Sequence, residues 1–165
     1  MPSSYPHSIL NILQTIATLQ PTSVLDVGFG RGKYGFLIKE YMPGVIVDGL
    51  EVYKPYITKL QEEIYRNIYI DNILTADVDK YDLYLLIDVI EHWEKDEVYP
   101  LLNRLLEKGN ILISTPSKFI EQDPVNGNEW ERHKTFWCDA DFKDYNHIIT
   151  PNELSLIITL YAKSH

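Results

Sequence analysis

The chain of 165 residues is long enough for one domain with a hydrophobic core and too short for a second domain beside it. Hydrophobic residues make up 45% of the sequence and charged residues 24%, which is ordinary for a globular protein and excludes disorder as its main state. The net charge of −9 repels phosphate backbones, so we expect neither duplex nucleic acid nor an anionic membrane as a partner. The single cysteine, Cys138, excludes an internal disulfide.

The amino-terminal segment MPSSYPHSIL has neither the basic stretch nor the long apolar core of a signal peptide. No apolar run approaches the roughly eighteen residues that a membrane helix requires. We therefore expect a soluble, cytoplasmic protein, and its oligomeric state stays open.

The first half of the chain alternates between segments with helical spacing of apolar residues and short apolar runs that read as strands. Ile9, Leu13, Ile16 and Leu19 recur at helical spacing until Pro21 ends the segment. In chain order, the pattern predicts a helix over 7–19, a strand over 23–28, a helix with Phe36, Leu37 and Tyr41 on one face, a strand over 45–51, and a helix with Ile57, Leu60 and Ile64 on one face.

The second half continues this alternation and then departs from it. The pattern predicts strands over 67–70 and 82–88, a helix through Val98 and Leu106 that ends at Gly109, a strand over 110–115, an irregular segment over 116–145, and a hairpin around 151–153. Strands that alternate with helices predict a mostly parallel sheet with helices on both faces, and the hairpin adds antiparallel strands at one edge. The segment 116–145 is too long for a plain connection, so we expect a functional flap within a single domain over 1–165.

Three glycines at alternate positions, Gly28, Gly30 and Gly32, separate the first predicted strand from the helix that follows. Glycine lets a ligand lie against the main chain, and a helix N-terminus attracts a carboxylate or phosphate. A P-loop is excluded because Val27 stands where its first glycine is required and Tyr34 follows Lys33. The dinucleotide pattern GxGxxG matches Gly30–Gly35 literally, but its register is wrong because the strand has already ended at Gly28.

The segment Asp26–Gly32 resembles motif I of the class I S-adenosylmethionine-dependent methyltransferases, an acid and any residue followed by GxGxG, at every defined position. The segment LLIDVIEHW over 85–93 is similar to the fourth-strand motif of the same family. The resemblance covers nearly the whole chain and implies a Rossmann-like fold of seven strands with S-adenosylmethionine as the cofactor. It implies cofactor contacts for the motif I residues Asp26, Gly28, Phe29, Gly30 and Gly32.

The resemblance also implies cofactor contacts at the ends of later strands. Glu51, with Val52 beside it, corresponds to the acid that binds the ribose hydroxyls, since one carboxylate can accept a hydrogen bond from each of two vicinal hydroxyls. Asp71 and Asn72 correspond to the adenine contact, although Asp77 in the same loop is an alternative. Asp88 is expected at the cofactor, where an acidic cleft favours the ammonium and the sulfonium.

The acceptor side is less defined, because methyl transfer is a direct displacement that needs a general base only when the acceptor must lose a proton. His92 is a candidate base, but it could equally contact the cofactor or cap the next helix. His133 lies in the aromatic stretch NEWERHKTFW and could touch the acceptor. No metal is expected, because His133, Cys138 and His147 do not form a recognised ligand spacing.

The sequence therefore favours an enzyme that methylates an oxygen or nitrogen atom of a small-molecule or sugar-like acceptor. Two alternatives stay open: a non-catalytic subunit that binds S-adenosylmethionine while a partner supplies the acceptor site, and a nicotinamide-dependent oxidoreductase. The last is disfavoured because no YxxxK set or second domain is present.

Overall fold

The computed structural model describes residues 6–124 and 127–163. Residues 125–126 of the predicted flap lie outside the described residues, as do residues 1–5 and 164–165. The expectations of no signal peptide and of a single domain over 1–165 fall partly on these chain ends.

A seven-stranded sheet forms the centre of the protein. Its strands are β1 (Ser23–Val27), β2 (Ile46–Leu50), β3 (Ile68–Tyr69), β4 (Leu83–Ile87), β5 (Asn110–Pro116), β6 (His147–Thr150) and β7 (Ser155–Leu160). Their order across the sheet is β3-β2-β1-β4-β5-β7-β6. The first five are parallel, whereas β7 runs antiparallel to both β5 and β6. The predicted mixed sheet with a terminal hairpin is confirmed.

Four α-helices connect or flank the strands: α1 (Ile9–Leu19), α2 (Lys33–Tyr41), α3 (Lys59–Ile64) and α4 (Lys95–Leu106). Short 3₁₀ turns occupy Pro6–Ser8, Lys54–Tyr56, Ile90–His92, Glu129–Glu131 and Asp139–Phe142. Among the helices of the described residues, none is both long and apolar enough to cross a membrane.

The sheet is covered on both faces because successive strand residues point to opposite sides. Val24, Leu83 and Leu85 pack on one face with side chains of α1, α2 and α3. Their neighbours Leu25 and Tyr84 pack on the other face with α4. The predicted arrangement of helices on both faces is confirmed.

The apolar faces predicted for α2 and α3 are buried only in part: Ile64 is in the core, whereas other members of these faces lie at the surface. Phe36 and Tyr41 are 51% and 69% exposed, and Leu60 is 54% exposed. Helix α2 instead buries Tyr34, Gly35 and Ile38. The cause is a close approach at Gly35, where a Cβ would stand 2.4 Å from the ring of Tyr65. This contact turns the side of α2 that carries Gly35 toward the core and leaves Phe36 and Tyr41 outside.

Candidate functional site

A cleft of about 470 Å³ opens at the carboxyl ends of β1, β2 and β4. The chain leaves β1 toward β2 on one side and returns to β4 on the other, and open α/β sheets bind ligands at such a switch point. The predicted site residues that line this cleft are Asp26, Gly28, Phe29, Gly30, Glu51, Val52, Asp88, His92 and His133.

The glycine turn forms the floor of the cleft. Gly28, Gly30 and Gly32 have positive φ angles of 62°, 54° and 78°. Residues other than glycine rarely adopt such angles. The Gly28 amide donates to the Leu50 carbonyl over 2.7 Å and ties the turn to β2. A Cβ at Gly28 would also stand 2.9 Å from Cγ2 of Val89. Gly32 is the N-cap of α2, so it supports the floor without being among the lining residues.

Asp26 joins the end of β1 to the start of α2. Its Oδ2 accepts hydrogen bonds from the Tyr65 hydroxyl at 2.6 Å and the Gly35 amide at 3.2 Å. Burial raises the pKa of Asp26 to about 7, even though both hydrogen bonds oppose the shift. Asp26 therefore holds the glycine turn in place and also places a titratable carboxyl in the wall of the cleft.

Glu51 connects the glycine turn to the segment after β2. Its Oε2 accepts from the Gly30 amide at 3.0 Å, and its Oε1 accepts from the Tyr53 amide at 2.8 Å. Burial raises the pKa of Glu51, and the two backbone amides oppose this shift. Since each carboxylate oxygen has two lone pairs, both oxygens can still accept a hydroxyl. The arrangement fits a ligand with two adjacent hydroxyls.

Asp71 and Asn72 stand apart from the other predicted residues and are not among those that line the cleft. The exposed Asp71 accepts from the Asn72 amide at 2.7 Å, and Asn72 Oδ1 accepts from the Leu74 amide at 3.0 Å. Asp77 is also exposed, 3.4 Å from the Lys108 amine. Their local hydrogen bonds form a turn after β3, so an adenine contact there stays a prediction.

Asp88 follows β4 and has a positive φ of 54°, a strained conformation for a residue other than glycine. Its amide donates to the Ser114 carbonyl at 2.7 Å, which fixes the turn against β5. Burial raises the pKa of Asp88 to about 7, and the positive charge of Lys33 opposes the shift. Its Oδ1 is buried without a hydrogen-bond partner within the described part of the chain.

His92 and His133 meet at the far end of the cleft, with ring centroids 5.0 Å apart. The Nδ1 of His92 donates to the Arg132 carbonyl at 3.1 Å, and that of His133 donates to the Ile120 carbonyl at 2.8 Å. Burial lowers the pKa of His92 to about 4, so the ring is neutral near pH 7. In a neutral ring protonated at Nδ1, Nε2 carries no proton and keeps its lone pair.

The flap also brings in polar residues that sequence reasoning did not single out. The Tyr56 hydroxyl donates to Oε1 of Glu131 at 2.8 Å, and Nδ2 of Asn128 donates to the Tyr56 oxygen at 3.3 Å. All three residues line the cleft close to Glu51. No sequence signal links them, because Tyr56 lies more than 70 positions from its partners.

The aromatic residues of the flap divide into an anchor and a lining residue. Trp137 is 1% exposed, and its Nε1 donates to the Ile90 carbonyl at 3.2 Å. The Glu91 carbonyl accepts from the amides of Lys134 and Thr135 at 2.8 and 3.1 Å. Trp130 is 43% exposed and lines the cleft. The flap is thus fixed to the turn after β4 and keeps an aromatic face toward the cavity.

No protein-family model matches this chain. No curated protein matches it in sequence either. Solved structures, by contrast, share its fold at low sequence identity.

The N-terminal domain of EvdMO1 with SAH bound has a TM-score of 0.72 and 14% identity, covering 97% of this chain and 83% of that chain. The same domain was also solved in the presence of SAH and D-fucose. The methyltransferase domain of bacterial CtHen1-CN has a TM-score of 0.69 and 14% identity, covering 94% and 97%. The S-adenosylmethionine-dependent methyltransferase SibL in its apo form has a TM-score of 0.69 and 18% identity, covering 95% of this chain but 56% of SibL.

These likenesses confirm the expectation drawn from motif I at the level of the fold. The chain has the Rossmann-like fold of the class I S-adenosylmethionine-dependent methyltransferases.

Proposed function

We propose that this protein transfers a methyl group from S-adenosylmethionine to an oxygen or nitrogen atom of a small-molecule or sugar-like acceptor. One observation carries the proposal: the same cleft is lined by the glycine turn and Glu51 on one side and by His92, His133 and the flap on the other. Two ligands that must react with each other can therefore share it. Its volume of about 470 Å³ lies within the range usual for cofactor and small-molecule sites.

The cofactor side of the cleft fits the chemical groups of an adenosyl sulfonium compound. Both oxygens of Glu51 can accept a hydrogen bond from a ligand hydroxyl. The amides of Gly30 and Tyr53 fix the carboxylate but leave one lone pair on each oxygen unused. The glycine turn and the N-terminus of α2 offer partial positive charge to a carboxylate. Asp26 and Asp88 offer negative charge to an ammonium and a sulfonium. Adenine contact by Asp71 and Asn72, or by Asp77, is part of this proposal.

Bound S-adenosylmethionine supplies a methyl group that is activated by its bond to positive sulfur. A lone pair of the acceptor atom forms the new bond to the methyl carbon while the sulfur–carbon bond breaks and leaves its electron pair on sulfur. The protein aligns the two ligands and excludes water. Where the acceptor is a hydroxyl, Nε2 of His92 is the candidate atom to receive its proton, with His133 as a substrate contact.

The acceptor side suits a polar molecule with a face that can lie on an aromatic ring. Trp130 offers such a face, while Gln122 and Glu131 add groups that bind hydroxyls. The net charge of −9 argues against duplex nucleic acid as the acceptor. The presence of D-fucose with the N-terminal domain of EvdMO1 lends support to a sugar-like acceptor.

Thermal unfolding with S-adenosylmethionine, S-adenosylhomocysteine and NAD tests the cofactor. A ligand that binds only the native state stabilises it by about 2.7 kcal/mol at a hundred times its Kd, so the two adenosyl ligands should raise the Tm by several degrees. Stabilisation by NAD alone would replace this proposal with an oxidoreductase. Incubation with labelled methyl donor and a cell extract then tests catalysis: label transferred by the isolated chain supports an enzyme, and transfer only with an added partner supports a cofactor-binding subunit.

A further inference from the structure

We propose that Glu91, His92 and His133 form a binding site for a divalent transition-metal cation at the acceptor end of the cleft. One ligand atom from each residue, a carboxylate oxygen and two ring nitrogens, lies within 4.8 Å of the other two. Ligand atoms held about 2.1 Å from a metal stand roughly 3 to 4 Å apart, so small side-chain rotations close the triangle. All three residues line the cleft, which leaves the remaining coordination positions open to it.

The two imidazoles are already oriented as metal ligands. Each donates its Nδ1 hydrogen to a backbone carbonyl, His92 to Arg132 and His133 to Ile120. A ligating histidine almost always donates its second ring N–H in this way, which fixes both the tautomer and the ring plane. The carbonyls belong to the flap, so the flap itself holds both rings with Nε2 unprotonated.

Glu91 supplies the second, independent observation. Its side chain is 2% exposed, and its Oε2 accepts a hydrogen bond from the Thr115 hydroxyl at 3.1 Å. Its Oε1 is buried and has no hydrogen-bond partner among residues 6–124 and 127–163. Leaving a buried carboxylate oxygen without a partner is costly, and a cation at this point would satisfy it.

The donor set indicates the class of cation. Two imidazole nitrogens and one carboxylate oxygen suit Zn²⁺, Co²⁺, Mn²⁺ or Fe²⁺, whereas Mg²⁺ and Ca²⁺ prefer sites built of oxygen. Three protein ligands with open positions are typical of a catalytic site and not of a closed structural one. The expectation from sequence of no metal considered His133 only with Cys138 and His147. It did not consider this set, because His133 lies 41 and 42 positions from His92 and Glu91.

The consequence for the acceptor rests on the proposed function. A cation here would bind an acceptor hydroxyl and lower its pKa, which favours methylation of oxygen over nitrogen. With the cation bound, Nε2 of His92 is a metal ligand and no longer the candidate base, so the hydroxyl proton passes to solvent. The oxygen lone pair forms the bond to the methyl carbon, and the electrons of the broken sulfur–carbon bond stay on sulfur. The inference therefore narrows the acceptor to an alcohol.

The test is a titration of chelator-treated protein with Co²⁺, followed by visible absorption, and with Zn²⁺ and Mg²⁺, followed by calorimetry. We expect about one equivalent of Co²⁺ or Zn²⁺ per chain, and weaker Mg²⁺ binding. His92→Ala and His133→Ala should each lower the affinity at least about tenfold. The matched control is His7→Ala, at an exposed histidine before α1, which should leave the affinity unchanged.

The proposed metal site would be overturned if His133→Ala bound Co²⁺ or Zn²⁺ as tightly as the wild type. It would also be overturned if His7→Ala lost as much metal affinity as His133→Ala. His133 is half-buried in the flap, so its truncation spares the sheet and decides the question even if the His92 variant does not fold. Binding of S-adenosylhomocysteine is measured on the same samples. Metal binding without adenosyl binding supports this inference and defeats the proposed function, and the reverse result defeats this inference alone.

Discussion

The two buried carboxyls of the cofactor side, Asp26 and Glu51, differ in how their charge is supported. Glu51 accepts two backbone amides, one on each oxygen. Asp26 accepts a hydroxyl and an amide on the same oxygen, is 2% exposed, and has a pKa that burial raises to about 7. A carboxyl in this state changes its charge near neutral pH, so it links the stability of the fold to pH.

Asp26→Asn should flatten the pH dependence of the free energy of unfolding between pH 4 and 7. The folded-state pKa of Asp26 lies above its ordinary value of 3.8, so the folded protein keeps a proton that the unfolded chain has lost in this window. Its contribution to stability therefore falls as pH rises, by up to about 1.4 kcal/mol per pH unit. The measurement is urea unfolding at several pH values, comparing slopes between variant and wild type.

Asp82→Asn is the matched control for this experiment. Hydrogen bonds from Thr22 and Ser23 hold the pKa of the exposed Asp82 below its ordinary value. Its stabilising contribution is present above that ordinary value and is lost only as pH falls through the lower folded-state pKa. The slope from pH 5 to 7 should thus match the wild type. A slope unchanged by Asp26→Asn would show that Asp26 ionises normally in the fold.

Sequence reasoning named His92 and His133 one at a time, but the only residues whose meeting it could explain were those at the ends of successive strands. The glycine turn and Glu51 follow consecutive strands, so their meeting at one edge of the sheet follows from the βαβ pattern. The contact of Tyr56 with Glu131 and the approach of His92 to His133 depend on how the flap folds back. No periodicity or motif encodes that path, because it is set by long-range packing.

At the scale of elements, the flap is anchored to the core by Trp137 and faces the cleft at Trp130. Trp137 packs against Phe142 with ring centroids 5.5 Å apart, on the same face of the sheet as α4. Trp130 lies before it in the chain and faces the cleft. The flap is therefore attached to the core at its carboxyl-terminal half.

Trp137→Ala should lower the free energy of unfolding by about 3–5 kcal/mol, because it removes a fully buried aromatic side chain and its hydrogen bond to Ile90. Trp130→Ala, at a half-exposed position, should change stability by about 0.5 kcal/mol or less while raising the KM for the acceptor. Chemical denaturation of both variants measures the difference. Equal losses of stability would show that both tryptophans anchor the flap.

The strands were predicted to within one or two residues because each is a short apolar run bounded by glycine, proline or acids. Helix rotation was predicted less well. Spacing placed Phe36 and Tyr41 on one apolar face of α2, but both are exposed, and the close contact between Gly35 and Tyr65 decides which side of α2 faces the sheet. A pattern of apolar residues does not reveal a contact that depends on the absence of a side chain.

At the scale of the whole molecule, a parallel sheet closed by an antiparallel hairpin places every strand-end residue of the cleft on one edge. Helices cover both faces, so this edge is where a ligand can reach the glycine turn, Glu51 and Asp88 together. The central claim is that an adenosyl ligand lies between the turn after β1 and the end of β2.

Hydrogen–deuterium exchange with and without S-adenosylhomocysteine tests this claim most directly. We expect the ligand to slow exchange at the amides of 28–34 and 51–53 and to leave the middle of α4 unchanged. Glu51→Gln should bind S-adenosylhomocysteine about tenfold or more weakly, because hydrogen bonds to a charged group contribute about 1.5–3 kcal/mol. At a fixed ligand concentration, both segments of this variant should therefore be less protected than in the wild type. Binding that protects neither segment, or that protects a different edge of the sheet, would contradict the account.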